Sequence, residues 1–498
     1  MKPLFFEEKT WNIVVVMLLA SLASRAQSRL PTGYVEVGGR ASSTRQTPFW
    51  LRANQFGTVP GESPVGSLRL GAHLDYCPDT LPRQRRFDWG FGAEVVGNGG
   101  ATRQLLLPEA YAKIRYGAVE LWAGRRREVL GIMDTTLTSG GISWSGNALS
   151  VPKIQLTVPD YLPLKFLGSF VALKGFYAHG WFNAPYIRGA YLHQKALYGR
   201  FGKPAARLHL HVGLVHHVQW GGEADYLKTS PFAVDGKLTT DFRDYLRGVV
   251  LGKISDEQRN GRYTGFDGEN RIGNHVGHYD IAFDLHLRGS SILFYNQHPF
   301  EDTSGLLFLN LPDGLYGLSW RNDRGGMVGF RLRRVLLEWL YTKNQAGSSF
   351  DIAGSRFKGG DNYFNHSQYA EGWSYFSQGL GTPFLPLISE VVPNLASGGL
   401  FFPNNRVEAY HAGAEALLNG RVLMVVKLSY SRNFGTYSVP FSEAIPQFSS
   451  LLDVRLPVAW LGGADLTGRV AWDTGRLYPP TFGAYLGLRK TWNAGRLR

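Results

Sequence analysis

The chain contains 498 residues, carries a formal net charge of +14 and has one cysteine, Cys77. A single cysteine excludes an intrachain disulfide, so a chain of this size must be stabilised by a large hydrogen-bonded sheet or a large core. The 61 glycines and the 13% of aromatic residues exceed what is usual in a soluble enzyme, and both are typical of a barrel wall.

The N-terminal segment has the features of an export sequence. Two lysines precede an apolar run from Ile13 to Leu19, and small residues stand at positions 24 and 26, which a signal peptidase reads. The run is too short for the ~20 residues of a membrane-spanning helix. We expect a signal peptide over residues 1–26 and one continuous domain over residues 27–498, because no domain boundary is visible.

Four segments alternate apolar and polar side chains with a period of two, which predicts strands rather than helices. In one of them Leu208, Leu210 and Val212 fall on one face and His209 and His211 on the other. The four segments are 68–77, 87–95, 208–220 and 277–288.

Turn residues join such runs closely. Residues 116–118 (Tyr-Gly-Ala) and Asn419-Gly420 each separate two alternating runs, which predicts hairpins and an antiparallel meander. One segment breaks the pattern, because apolar residues recur at i, i+3, i+4, i+7 and i+8 from Phe242. This spacing predicts a short amphipathic helix over about 241–251, packed inside a barrel or against its rim.

The polar strand faces carry His, Asp, Arg and Gln, which suits a hydrated lumen better than the dry core of a sandwich. Lipid offers no partner to a free backbone amide, so a sheet that crosses a membrane must close on itself. Strands of ~9 to 11 residues cross the hydrocarbon, and the chain length allows roughly 16 to 20 of them. We therefore predict an all-β, transmembrane, antiparallel up-and-down barrel in the outer membrane.

Several loop and strand segments, taken in chain order, resemble those of a known protein family. They are 47–57, 123–128, 144–148, 152–155, 245–247, 251–253, 295–305, 313–317, 341–347, 359–365, 372–375, 381–384 and 429–437. In these segments the chain resembles the Wzi-type capsule assembly family, in the form found in Bacteroidetes. The resemblance implies a barrel of about eighteen strands that acts in capsule or exopolysaccharide attachment and assembly at the cell surface, as a lectin and not as an enzyme.

Candidate binding residues are those that sugars favour. Aromatic faces cover C–H patches, planar polar groups pair with hydroxyls, and arginine pairs with acidic sugars. The candidates are Arg125, Arg126, Arg127, Glu301, Asp302, Asp361, Asn362, Tyr363, Trp373 and Arg432. Each candidate could instead have a purely structural role. Asp and Asn in glycine-rich loops often bond their own backbone, and Trp and Tyr favour the membrane interface.

The positive charge predicts anionic partners. For an exported chain without a nucleic-acid motif, acidic polysaccharide or lipopolysaccharide phosphate is a better partner than nucleic acid. We also expect contact with outer-membrane lipid and with the polysaccharide export machinery. No cofactor is expected.

Two rival functions stay open. A porin-like channel would suit a lumen rich in charged side chains. A hydrolase on surface glycan or lipid is less well supported: residues 141–146 resemble a nucleophile elbow only loosely, and the adjacent Glu301 and Asp302 would point apart on a strand. His209 and His211 share a strand face but have no evident acidic third ligand, so no metal is expected.

Overall fold

The computed structural model describes residues 30–77, 87–251, 271–326, 328–349, 359–396 and 398–493. The predicted signal peptide lies outside these residues, and its cleavage stays a prediction. Among the described residues, no helix combines the length and the apolar character needed to cross a membrane.

Eighteen strands form one closed antiparallel barrel. Each strand pairs with the next along the chain, and the last pairs with the first, from Thr32↔Asn493 to Ser42↔Gly483. The strands are β1 Thr32–Ser42, β2 Val65–Leu74, β3 Phe87–Gly100, β4 Gln104–Tyr116, β5 Val119–Arg125, β6 Lys153–Pro163, β7 Val171–Trp181, β8 Tyr191–Phe201, β9 Leu208–Trp220, β10 Asn274–Leu287, β11 Ser290–Phe300, β12 Gly314–Asn322, β13 Phe330–Tyr341, β14 Val407–Leu418, β15 Val422–Gly435, β16 Pro440–Val458, β17 Ala464–Gly475 and β18 Thr481–Asn493. The predicted fold class and strand number are confirmed.

The two ends of the barrel differ. One end, here called the turn end, carries short connections such as 117–118 and 419–421, and Asn419 and Gly420 both have positive φ, as the predicted hairpin requires. The other end, the loop end, carries the long connections 43–64, 126–152, 221–273 and 342–406.

Among the described residues, helical structure occurs only in short pieces. These are α1 Phe49–Arg52, α2 Phe242–Asp244 with a π-helical continuation Tyr245–Val250, α3 Thr303–Leu306, and 3-10 turns at Lys165–Leu167, Asp225–Thr229, Pro393–Leu395 and Ala459–Leu461; a small ribbon pairs Gly222–Glu223 with Lys237–Leu238.

The outer surface of the barrel wall is apolar. Along β9 the even-numbered residues point outward, and Leu208 is 53% exposed, whereas its neighbour His209 is buried on the lumen side. Large aliphatic side chains on other strands follow the same rule, with Leu486 62% exposed on β18. A wall of this kind is stable in hydrocarbon and would be a very large exposed apolar surface in water.

The predicted helix near 241–251 lies outside the barrel, against its rim at the loop end. Asp241 caps it by accepting a hydrogen bond from Arg243 N at 2.8 Å. The Tyr245 ring stacks on the outward-facing Trp220 with centroids 4.9 Å apart. We call residues 242–251 the outer cover.

The expected buried face of this helix was partly wrong. Phe242 and Leu246 are 71% and 43% exposed, while Tyr245 and Val249 are buried as predicted. The segment continues as a π-helix, with Leu251 N bonded to Leu246 O, and the wider turn rotates the following side chains away from the i+3/i+4 spacing.

Candidate functional site

Loop segments fold back into the barrel and occupy a large part of its lumen. We call residues 43–64, 126–152 and 359–406 the plug. Trp50 Nε1 donates to Ser429 Oγ on β15 at 3.2 Å, and Lys427 Nζ on the same strand donates to Thr138 O at 2.9 Å. The largest apolar core of the molecule, including Phe49, Trp50 and Trp144, therefore lies inside the barrel.

Inward-facing carboxylates hold the plug in place. Glu338 on β13 accepts hydrogen bonds from Thr138 Oγ1 at 2.6 Å and Ser139 N at 2.7 Å. Asp280 on β10 accepts one from Ile132 N at 2.9 Å. The polar strand faces were expected to meet water, but at these positions they bind the backbone of the 126–152 loop, which satisfies amides that would otherwise be buried alone.

Trp373 and Tyr363 are buried within the plug. Trp373 is 0% exposed, and its Nε1 donates to Ser143 O at 2.8 Å. Tyr363 donates its hydroxyl proton to Asp313 Oδ2 at 2.7 Å. Both residues join loops to one another rather than presenting a ring to solvent.

Glu301, Asp302 and Asp361 form one acidic cluster at the loop end. Glu301 accepts a hydrogen bond from Phe364 N at 2.8 Å, and Asp302 caps α3 by accepting from Ser304 N at 2.6 Å. Burial raises the pKa of Glu301 to about 8, and burial together with the charges of Asp302 and Glu301 raises the pKa of Asp361 well above its usual value. Three of the candidate binding residues therefore lie together in the structure, in a cluster that is largely enclosed.

Asn362 lies in the same loop and is held by other amides. Its Oδ1 accepts hydrogen bonds from Asn365 Nδ2 at 3.1 Å and from Asn405 Nδ2 at 2.6 Å. These bonds fix the course of the loop, which is the usual task of asparagine in such segments.

The three consecutive arginines diverge. Arg125 donates to Ser150 O at 3.0 Å within the plug. Arg126 pairs with Glu120 at 2.7 Å, and Arg127 with Glu94 at 2.6 Å. Arg127 also lines a cavity of the lumen, described below.

Arg432 lies apart from all the other candidates. It is on the outward series of β15, about half exposed, with Nη1 3.6 Å from Glu408 Oε2. Its guanidinium lies over the Phe434 ring at 5.6 Å. It therefore faces the surroundings of the barrel and not the lumen.

An open cleft at the loop end was not predicted from the sequence. Its volume is about 400 Å³, and it lies between the first plug segment and residues 377–390. Its polar lining comprises Arg45, Gln46, Arg52, Glu62, Asn147, Ser377, Gln378, Ser389 and Glu390. We call it the loop-end cleft.

Charge pairs and amides shape this cleft. Gln46 Nε2 donates to Glu390 O at 2.9 Å, and Arg52 pairs closely with the Glu390 carboxylate. Among the described residues, Arg52 Nε and Gln378 Oε1 have no hydrogen-bond partner. The side chain of Phe376, next to the cleft-lining Ser377, is 46% exposed. Arginine, amides and an exposed aromatic ring are the groups that bind sugars.

A second cavity, which we call the arginine vestibule, runs from the plug toward the turn end. Its volume is about 560 Å³, and its charged lining comprises Glu36, Arg40, Arg69, Arg127, Arg421, Arg455, Asp465, Arg469 and Arg489. Arg469 Nε lies 2.9 Å from Asp453 Oδ2, and Arg489 Nη1 lies 3.6 Å from Glu36 Oε2. The seven arginines outnumber the nearby carboxylates, so the vestibule attracts anions.

One of these arginines, Arg69, lies in a segment that the alternation predicted as a strand. Arg69 is one residue from Leu68 and Leu70, which are exposed on the outer wall, so its side chain points into the lumen. The other six arginines lie outside the predicted segments, so the vestibule did not follow from the sequence.

No protein-family model matches the chain, and no curated protein matches it in sequence. Among solved structures, it is similar to Wzi of Escherichia coli, described as an outer-membrane protein involved in group 1 capsule assembly and a carbohydrate-binding β-barrel. The TM-score is 0.59 at 14% identity, covering 99% of this chain and 90% of that one.

Two Pseudomonas aeruginosa barrels are also similar, each with a TM-score of 0.45. OpdL is 9% identical over 93% of this chain and 99% of its own. The outer membrane protein OprD is 7% identical over 94% of this chain and 96% of its own. The similarity to Wzi shows a Wzi-like barrel fold.

Proposed function

We propose that this chain is an outer-membrane protein that binds capsular or exopolysaccharide and assists its assembly and attachment at the cell surface. It acts as a lectin and not as an enzyme, and it is a member of the Wzi-type family in its Bacteroidetes form. The likeness to Wzi, a carbohydrate-binding barrel by its own description, supports the class of function.

The observation that carries the proposal is the combination of a plugged barrel with the loop-end cleft. The plug is bonded to strands around the barrel, through Ser429, Lys427, Glu338 and Asp280. A barrel built to pass solutes would not need an apolar core of this size within its wall. What the plug does provide is a rigid, polar surface at the loop end.

The orientation follows from the lengths of the connections. Outer-membrane barrels have short periplasmic turns and longer extracellular loops. The loop end therefore faces outward in the proposal, which places the loop-end cleft at the cell surface, where polysaccharide is retained. The turn end, with the arginine vestibule, faces the periplasm, where the export machinery is a partner. Lipopolysaccharide surrounds the loop end, and Arg432 faces its phosphates.

Within the cleft, the guanidinium groups of Arg45 and Arg52 are suited to the carboxylates of acidic sugars, and Gln46, Asn147 and Gln378 to hydroxyl groups. The sequence candidates Trp373, Tyr363 and Asn362 do not line the cleft, and they hold loops of the loop end together. Their part in binding is indirect in the proposal, because each is committed to another loop.

Capsule retention tests the proposal in a strain that lacks the chromosomal gene. Complementation with Arg45→Ala/Gln378→Ala should lower the cell-bound polysaccharide and raise the released fraction, with total production unchanged. The matched control is Arg476→Ala, an exposed loop-end arginine paired with Glu443 at 2.6 Å, as Arg45 is with Glu62 at 3.2 Å. Full retention by the cleft variant, at equal surface expression, would contradict the proposal.

A channel for small polar anions is the second candidate, and the arginine vestibule favours it. Charged lumen rings select ions by sign. Steady, large conductance of the unmodified protein in planar bilayers would favour this channel over the lectin.

A further inference from the structure

Three possible metal ligands meet on the lumen wall at the turn end. His209 stands near the start of β9, and Asp284 is its direct partner in the β9–β10 register. His286 follows Asp284 by two residues, so its side chain lies on the same face of β10. The pairing of these two strands, which are separated in the chain by residues 221–273, brings the three side chains together.

The distances suit a chelating group. One ligand atom from each residue lies within 4.8 Å of the other two. His286 Nε2 is 3.1 Å from Asp284 Oδ2, and the rings of His209 and His286 have centroids 5.7 Å apart. Small rotations about the side-chain bonds bring such atoms to the ~2.0–2.2 Å at which zinc binds nitrogen and carboxylate oxygen.

The surroundings also orient His209. Its Nε2 lies 3.0 Å from Lys203 O, in the turn before β9. A carbonyl accepts only, so Nε2 carries the proton and the lone pair is on Nδ1. Histidine ligands of metals usually donate their second ring N–H in this way. His209 is buried, whereas His286 is about half exposed, so the group is accessible from the turn end.

We propose that His209, Asp284 and His286 bind one divalent transition-metal ion, with Zn²⁺ as the best fit to two imidazoles and one carboxylate. Three protein ligands leave a fourth position for water. His211, the residue that shares the sequence pattern with His209, is not part of the site, because its Nδ1 bonds Tyr161 OH at 2.9 Å.

The bound ion would connect β9 to β10, two paired strands that are separated in the chain by residues 221–273. A ligand that binds only the folded state stabilises it. The ion therefore acts as a clamp on this seam, independent of any polysaccharide at the loop end.

A natural control exists on another strand. His73 and Asp75 have the same two-residue spacing near the turn end, with His73 Nε2 3.7 Å from Asp75 Oδ2. Lys113 Nζ lies 3.0 Å from Asp75 Oδ1, so a cation already occupies the position that a metal would need.

The test uses the full mature chain without an affinity tag, purified in detergent, stripped with EDTA and titrated with Zn²⁺ and Co²⁺. We expect one equivalent to bind and the Co²⁺ form to show the visible absorption of a low-symmetry site. His286→Ala and Asp284→Asn should each weaken binding at least tenfold, whereas His73→Ala should leave it unchanged. The folded state of each variant is checked by its heat-dependent gel mobility. Binding that is absent, or equal in His286→Ala and the unmodified protein, would overturn the proposal.

Discussion

Trp373 Nε1 donates a 2.8 Å hydrogen bond to Ser143 O, and this bond joins two of the plug segments in the middle of the barrel. The Trp373 ring also packs against Trp144, with centroids 6.1 Å apart, and against His217 on β9 at 5.6 Å. One side chain thus links the 126–152 loop, the 359–406 loop and the barrel wall. The plug is a packed body, and its weakening should be measurable.

Trp373→Ala should loosen the plug. Loss of a fully buried aromatic side chain typically costs about 3–5 kcal/mol, because the cavity adds to the lost burial. We expect larger and more frequent current openings in planar bilayers than for the unmodified protein. Trp472→Ala is the control, because Trp472 is half exposed on the outer wall. Equal conductance of the two variants would show that Trp373 does not hold the plug closed.

The arginine vestibule should select for anions once the plug is loosened. In the Trp373→Ala background, Arg455→Gln/Arg489→Gln should lower the permeability of chloride relative to potassium several-fold, as fewer fixed positive charges attract anions. In this variant Asp453 keeps its bond to Arg469 at 2.9 Å, and Glu36 keeps Arg69 Nε at 3.8 Å, so neither carboxylate is left without a cation. Reversal potentials under a salt gradient measure the ratio, and Arg476→Gln should not alter it.

The loop held by Glu301 should be more stable at low pH. Burial raises the pKa of Glu301 from 4.5 to about 8, so the folded loop retains a proton that the unfolded chain releases above pH 4.5. Stability contributed by this group is therefore greatest below pH 4.5 and falls as the pH rises toward 8.

The pH dependence of the loop's stability can be measured by hydrogen exchange of the backbone amides of Phe364 and its neighbours. Exchange should quicken from pH 5 to pH 8 beyond the intrinsic pH effect, and Glu301→Gln should remove the excess. Persistence of the full excess in Glu301→Gln would assign the effect to another group, such as Asp313, whose pKa burial raises to about 6.

The outer cover should depend on one hydroxyl group. Tyr245 OH lies 2.7 Å from Tyr177 OH and 3.2 Å from His193 Nδ1, both on the outward series of their strands. Tyr245→Phe should reduce local stability by about 0.5–1.5 kcal/mol, the usual net value of a hydrogen bond. Hydrogen exchange of residues 242–250 should quicken accordingly. Tyr226→Phe changes a distant loop contact and should not affect these amides, so an equal response to both would contradict the assignment.

Local periodicity was enough to predict the wall. The predicted strand 208–220 has those bounds, and both predicted hairpins occur, because a lipid-facing strand must alternate along its length. The same pattern cannot tell which partner a polar side chain meets. Asp280 reads as a water-facing group in the sequence, yet it binds Ile132 N, which is 148 residues away.

The surroundings of the candidate residues in loops could not be predicted from the sequence either. A glycine- and aromatic-rich loop has the same composition whether its rings face solvent, as Phe376 does, or other loops, as Trp373 does. The position of Asp284 beside His209 could not be predicted from the sequence, because only strand pairing across residues 221–273 brings the two together. Contacts of this range are set by the closed barrel and leave no trace in the spacing of nearby residues.

The length of β16 affects how a long polymer can approach. This strand has 19 residues, more than the ~9–11 that cross hydrocarbon, and its first residues extend past the last pair with β17, Gln447↔Gly475. The first seven residues of β16 therefore form a ridge at the loop end, beyond the last β16–β17 pair. In the function proposed above, a polysaccharide bound at the loop end would meet this ridge on one side, and the ridge would then limit the directions in which the polymer can extend.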